Sequence, residues 1–204
     1  MNAQPPALRR LALASSSPYR QSLLAKLGLA FETASPCIAE TPHVGETPAQ
    51  LCTRLAEEKA RALSERFPAH LIIGSDQVAT LAGTQLCKPG SHARTVEQLR
   101  AAAGKTVEFF TSVCVLDSAT GAALIDMDRT QAHFRSLSDS QIEDYVRKEP
   151  AYDCAGGFKS EGLGIALLER LETEDPNALV GLPLIRLVGL LEKFGVEILA
   201  AQRL

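Results

Sequence analysis

Three polar clusters and three isolated charges hold most of the chemically capable side chains in this sequence. Ser15-Ser16-Ser17-Pro18-Tyr19-Arg20 follows the apolar run Leu11-Ala12-Leu13-Ala14. A strand entering a helix N-terminus there points backbone N–H groups outward, a setting that suits an anion. Arg20 can clamp phosphate oxygens in a planar fork. Gly74-Ser75-Asp76-Gln77 follows Leu71-Ile72-Ile73. A carboxylate at the end of a buried strand can hold a divalent cation or accept a proton from water. Cys154-Ala155-Gly156-Gly157-Phe158-Lys159-Ser160-Glu161-Gly162 combines glycines, which let backbone approach a ligand, with Glu161. Its two carboxylate oxygens could accept parallel hydrogen bonds from a base edge. Glu40, Lys59 and Lys88 stand alone and read individually as solvated surface charges.

Each cluster also has an ordinary structural explanation: a serine cap, a turn aspartate, a tight glycine loop. Together, phosphate donors, a metal-capable carboxylate and a glycine loop with an acceptor suggest a nucleotide site. No Walker A order and no GxGxxG fingerprint occurs. Cys154 has no recognisable partner among His43, His70, His92 and His133, so a thiol enzyme is rejected.

These groups need a scaffold, and the apolar patterning supplies one. Leu11–Ala14 reads as a buried strand, with Pro18 in the first turn of a helix that carries Leu23, Leu24 and Leu27 and stops at Gly28. Phe31 to Ser35 reads as a strand. Thr47-Pro48-Ala49-Gln50 has capping-box spacing. The helix it opens carries Lys59 and turns Leu51, Leu55, Ala62 and Leu63 inward. Leu71–Gly74 reads as a strand ending in Ser75-Asp76-Gln77 at a sheet edge. A Gly83-Thr84 turn leads to a return strand, Gln85 to Cys87. Ser91 caps a helix with Val96, Leu99 and Ala103 inward. Val107 to Leu116 and Ala122 to Phe134 read as a long hairpin across Ser118–Gly121. Ser138-Asp139-Ser140-Gln141 opens a helix with Ile142, Tyr145 and Val146, and a last helix spans Pro183 to Phe194. The pattern predicts an α/β fold, a mixed twisted sheet with flanking helices in two lobes around a central cleft. One domain over residues 1–204, with 1–10 as a flexible N-terminus, accounts for the whole pattern.

Composition narrows the classes. The chain has 204 residues, 46% hydrophobic and 22% charged, with a formal net charge of −3. That balance argues against a general nucleic-acid or anionic-membrane binder, while leaving room for a local basic pocket. Five cysteines without CxxC pairing read as buried thiols in a reducing compartment. Met1–Pro6 lacks the pattern of a secretory leader, and no apolar run is long enough to span a bilayer. A cytoplasmic protein is expected.

Six motifs then resemble, in order, those of the Maf family of nucleoside triphosphate pyrophosphatases. They are Ser15-x-Ser17-Pro18-x-Arg20, Glu40-Thr41-Pro42, Glu58-Lys59-Ala60, Ser75-Asp76-Gln77-Val78, Lys88-Pro89 and Tyr152…Ala155-Gly156. The resemblance covers Leu11 to about Phe194 and implies an architecture related to the inosine triphosphatases. Asp76-Gln77 and Ser160-Glu161-Gly162 resemble the branch acting on 7-methyl-GTP more than the branch acting on dTTP and UTP. Tyr19 stands where tryptophan is expected in that branch, and Cys87 where glycine is usual.

The resemblance implies hydrolysis of the α–β phosphoanhydride, here of 7-methyl-GTP to 7-methyl-GMP and pyrophosphate. Asp76 is implied as proton acceptor, and with Glu40 as ligand to a divalent cation, Mg²⁺ by expectation. Ser15, Ser17, Arg20, Lys59 and Lys88 would hold the triphosphate; Tyr19, Gln77 and Glu161 would select the base. A methylated guanine is cationic, so an aromatic face and a carboxylate both favour it. The alternatives are the same chemistry on dTTP, UTP or another modified nucleotide, or a non-catalytic nucleotide-binding regulator of septum formation. The ligand expected is a small nucleoside triphosphate, with no nucleic acid and no membrane; the resemblance allows a homodimer.

Overall fold

A computed structural model of the chain describes residues 9–201. Seven strands form one mixed sheet in the order β2-β1-β3-β5-β6-β7, with β4 also paired to β3. The strands are β1 (Arg10–Ala14), β2 (Phe31–Ala34), β3 (His70–Leu81), β4 (Thr84–Leu86), β5 (Thr106–Asp117), β6 (Ala123–Phe134) and β7 (Leu168–Glu172). The helices are α1 (Pro18–Ala25), α2 (Pro48–Arg61), α3 (His92–Ala102), α4 (Asp139–Lys148), α5 (Leu184–Lys193) and α6 (Ile198–Ala201). β1, β2 and β3 are parallel, and all other pairings are antiparallel. The expected mixed α/β sheet with flanking helices is therefore the observed one.

The three long strands β3, β5 and β6 run through both halves of the molecule. One half buries Leu11, Leu13 and Ile73 against Leu23 and Leu24 of α1 and Leu187 and Leu191 of α5. The other packs Phe109 and Phe134 against Val96 and Leu99 of α3, Ile142 and Val146 of α4, and Phe158. β5 lies along one edge of β3 from Leu71 to Leu81. The opposite edge is shared: β1 pairs with His70–Ile73 and β4 with Ala79–Leu81. Between them, residues 74–78 have a strand on one side only. This lateral gap is where the cleft opens.

The structure differs from the sequence pattern at several positions. Ser75-Asp76-Gln77 does not end a strand; β3 continues five residues beyond Asp76 to Leu81, and Asp76 is buried in a central strand. The cluster is reachable because its neighbour is interrupted. Lys59, a surface charge by its sequence context, is buried. Ala62 is exposed, because α2 ends at Arg61 and the next inward place falls to Leu63. Ala103 leaves helical geometry at the end of α3, so Ala102 takes the buried position. The β3–β4 turn is Ala82-Gly83, both at positive φ (49° and 81°), as a two-residue hairpin turn of this hand requires. That starts β4 one residue earlier than expected. Arg10 opens β1 and Arg9 bonds Asp117 at 2.5 Å, so neither belongs to a flexible terminus; residues 1–8 lie outside the described residues. β7 and α6 had no clear sequence signal. The capping boxes at Thr47 and Ser138 are formed as expected.

Candidate active site

Even-numbered side chains of β3 face α2, as strand alternation demands. Ile72 packs with Ala56 and Ala60, and Val78 with Leu51, Cys52 and Leu55. Gly74 lies between them. A Cβ there would sit 2.1 Å from Ala56 O, so only glycine lets α2 approach this closely. The close approach delivers Lys59 to Asp76: Nζ donates to Oδ1 at 2.6 Å. The same nitrogen lies 2.7 Å from Glu40 Oε1, in the loop after β2. One ammonium thus bridges two carboxylates at the gap in the sheet.

Arg54 of α2 fixes the Glu40 loop. It donates to Glu46 at 2.7 and 2.8 Å and to Thr41 O at 3.2 Å. Arg54 and the His43 N–H hold the Glu46 carboxyl down to about 2 against the opposing effect of burial.

Odd-numbered residues face the other way. Ser75 donates to Ser112 O at 2.8 Å and to Gly181 O at 3.0 Å. Arg20 Nε donates to the same Gly181 carbonyl at 2.8 Å. Gln77 Nε2 lies within 3.1 Å of Thr111 Oγ1 and within 3.0 Å of both Ala178 O and Leu179 O. Two carbonyls can only accept, which fixes the amide nitrogen on that side and leaves Oε1 as the uncommitted atom.

Ser15 Oγ accepts from Ser17 N at 3.1 Å, and Ser17 Oγ caps α1 by accepting from Arg20 N. Their lone pairs serve the turn, and the hydroxyl protons remain for an incoming anion. Lys88 is exposed on the rim and has no ion pair among the described residues. Its loop is tied down by Gln98 Nε2 to Cys87 O at 2.8 Å and by Gly90 N to Tyr152 O at 2.9 Å.

All the sequence-derived site residues line one cleft of about 380 Å³: Ser15, Ser17, Tyr19, Arg20, Glu40, Lys59, Asp76, Gln77, Lys88 and Glu161. Glu161 is exposed at one end, with no hydrogen bond among those described. Tyr19 reaches across the mouth, its hydroxyl 3.2 Å from Asp153 Oδ2 and its ring centroid 5.5 Å from Lys159 Nζ. Sequence reasoning missed Gly181, Ser75, Asp153 and Lys159 as members of this assembly. Ser75 and Lys159 lay inside the quoted clusters, whereas Gly181 carried only a turn signal.

The electrostatics follow from burial and crowding. Burial raises the Asp76 carboxyl above the usual range, partly offset by Lys59 and Arg20 and reinforced by Glu40. Glu40 is also raised by burial, but its bond to Lys59 and the charges of Lys59, Lys88 and Arg20 outweigh that and hold it low. Burial lowers Arg20, against the pull of Asp76. Burial, aided by Asp153, pushes the Cys154 thiol up to about 12. That leaves it no useful thiolate at neutral pH, consistent with rejecting a cysteine nucleophile. The chemical character of the cleft is a cationic floor with two carboxylates, a glycine-built wall and an aromatic at the mouth.

Comparison with known proteins finds relatives along nearly the whole chain. The 7-methyl-GTP pyrophosphatase of Albidiferax ferrireducens is 51% identical over 96% of this chain and 98% of its own length. That of Nitrosococcus oceani is 52% identical over 98% of this chain and 100% of its own. That of Cupriavidus pinatubonensis is 52% identical over 95% and 98%. A solved nucleoside-triphosphatase / dITP/XTP pyrophosphatase from Mycobacterium abscessus aligns at a TM-score of 0.40 and 14% identity, over 63% of this chain and 75% of its own. The family model described as Maf-like protein matches residues 10–194, so the motifs, the cleft they line and the full-length similarity converge: the chain belongs to the Maf family.

Proposed function

We propose that the chain is a nucleoside triphosphate pyrophosphatase that hydrolyses the α–β phosphoanhydride of 7-methyl-GTP, giving 7-methyl-GMP and pyrophosphate. The observation that carries this reading is the Glu40–Lys59–Asp76 arrangement in a cleft that also presents Arg20 and Lys88. Two carboxylates beside three cations suit a metal-chelated polyphosphate. The relatives named for this activity support the choice of substrate.

The residues present fit a divalent cation. No group of three or more His, Cys, Asp or Glu able to hold a metal occurs among the described residues. Mg²⁺ needs no such cage: it takes one or two carboxylates and completes its shell with phosphate oxygens and water. Glu40 and Asp76 would hold it, and it would supply charge neutralisation on the phosphate oxygens and a more acidic attacking water.

The protein's own part is positioning, proton transfer and selection. Arg20, Lys59, Lys88 and the hydroxyls of Ser15 and Ser17 bind the triphosphate. Asp76 accepts the proton of the water whose oxygen attacks the α-phosphorus, and the bond to the β-phosphate oxygen breaks to release pyrophosphate. Gln77 offers only its Oε1 to the base, an acceptor suited to the N–H edge of guanine. Glu161 adds two more acceptor oxygens and a negative charge, and Tyr19 an aromatic face; both favour a cationic base. Five free cysteines suit a reducing cytoplasm.

A substrate panel with Mg²⁺ tests this reading. Pyrophosphate release should be fastest from 7-methyl-GTP and slower from GTP, dTTP and UTP. A preference for dTTP or UTP would reassign the base, and no release from any of them would leave a binding protein.

A further inference from the structure

The bridging ammonium sits between the two carboxylates that would hold a metal. Lys59 Nζ lies 2.6 Å from Asp76 Oδ1 and 2.7 Å from Glu40 Oε1, so both oxygens reach one point and a cation already fills it. Lys59 is not a solvent-exposed side chain: it is 7% exposed, on a helix packed closely over Gly74. If it stayed, a dication on the same two oxygens would sit a few ångströms from a unit positive charge. Arg20 and Lys88 line the same cleft, so a metal arriving alone would meet two further positive charges there. A triphosphate adds negative charge and offers the ammonium new acceptors within the cleft.

We propose that Lys59 acts as a tethered cation that holds the metal site shut in the nucleotide-free protein, so that a divalent cation enters only together with a triphosphate. This rests on the reading of the cleft as a triphosphate site. Lys59 is then more than a phosphate contact. It keeps two carboxylates paired in the resting protein, and it passes to phosphate oxygens when metal and substrate arrive as one complex. The order of binding follows from which cation the carboxylates hold.

The test is Mn²⁺ binding to the intact chain without nucleotide, followed by the electron paramagnetic resonance of free Mn²⁺ at mildly alkaline pH. Lys59→Met removes the competing charge and should bind Mn²⁺ about 10-fold or more tighter than wild type, although its turnover falls. Lys59→Arg keeps the charge and should remain weak. Lys59→Met combined with Asp76→Asn should lose the gain. Equal affinity in wild type and Lys59→Met, with matching circular dichroism, overturns the proposal. Should Lys59→Met fail to fold, the side-chain ammonium signal of Lys59 in ¹⁵N-labelled wild type decides. Mg²⁺ alone should leave it in place, and Mg²⁺ with the α,β-methylene analogue of GTP should shift it. A shift with Mg²⁺ alone, or none with both, overturns the idea. The Mn²⁺ titration contains no nucleotide, so failure of the proposed activity is read separately, from pyrophosphate release.

Discussion

Arg20 and Ser75 donate to the same carbonyl oxygen, that of Gly181, at 2.8 and 3.0 Å. Three distant parts of the chain, the start of α1, the middle of β3 and the approach to α5, are thereby tied at one atom. Gly181 has φ 122°, outside the reach of most side chains, and a Cβ there would lie 3.6 Å from Arg20 Nε. The segment behind it is pinned by Asp175, fully buried, which accepts from Asn177 N at 3.0 Å and Ile185 N at 2.5 Å. The arginine proposed to bind phosphate is therefore aimed by backbone.

Ser75→Ala should weaken this tie without emptying the cleft. Ser75 is fully buried, and its loss leaves Ser112 O without that donor, at a cost of about 1–3 kcal/mol. Urea unfolding should show the loss, and KM should rise for every triphosphate with the ranking of bases unchanged. An unaltered KM would detach Arg20 placement from Ser75.

Asp76→Asn keeps the shape and an oxygen for Lys59 but removes the proposed proton acceptor. Turnover should fall by about 10²-fold or more, the usual scale of general-base loss. Burial already disfavours the Asp76 charge, so the urea midpoint should not fall in proportion. Near-normal turnover would move the catalytic role elsewhere.

Gly74→Ala tests whether close helix–strand contact matters to the chemistry. The new methyl would meet Ala56 O at 2.1 Å and Ala60 N at 2.8 Å, both backbone atoms. α2 must shift, and overpacking of this kind costs about 1–3 kcal/mol. Lys59 should be carried away from Asp76 and turnover should drop in the fraction that remains folded. A variant with wild-type stability and rate would mean α2 has slack.

Glu161→Gln addresses the base. Replacing one acceptor oxygen with an amine donor sets it against a guanine N–H, a mismatch worth roughly 1–3 kcal/mol, or about 5- to 150-fold. kcat/KM for 7-methyl-GTP should fall far more than for UTP or dTTP. Equal losses would make Glu161 a support of the loop only.

Glu46→Gln concerns the loop that carries Glu40. The folded Glu46 carboxyl titrates at about 2, below its ordinary 4.5, so its contribution is present above 4.5 and lost as pH falls towards 2. Wild type should lose stability across that window, and the glutamine variant should show a flatter curve in urea midpoints. Superimposable curves would show that the pair with Arg54 adds nothing to folding.

The sequence by itself determined most of the elements and ten of the residues that line the cleft. Capping boxes at Thr47 and Ser138, Pro18 after Ser17, and the apolar runs of the long strands are local signals, so their physics is complete within a few residues. Eight of the ten stand in six spaced motifs that survive as a one-dimensional pattern; Tyr19 and Glu161 come from the comparison of branches within the family. What they do to one another could not be read that way. Nothing local makes Lys59 buried or pairs it with both Glu40 and Asp76; that follows from Gly74 admitting α2. Asp76 read as the end of a strand because polar residues in an apolar run normally mark one. It is instead in mid-strand, opened to the cleft because β1 and β4 share an edge of β3 and leave residues 74–78 uncovered. Asp76 and Gln77, adjacent in sequence, face opposite sides of the sheet, one toward a cation and the other toward backbone carbonyls. Strand alternation was knowable from sequence, but which layer covers each face is set by long-range packing, and that packing decided the charges, the hydrogen bonds and the aim of every group in the cleft.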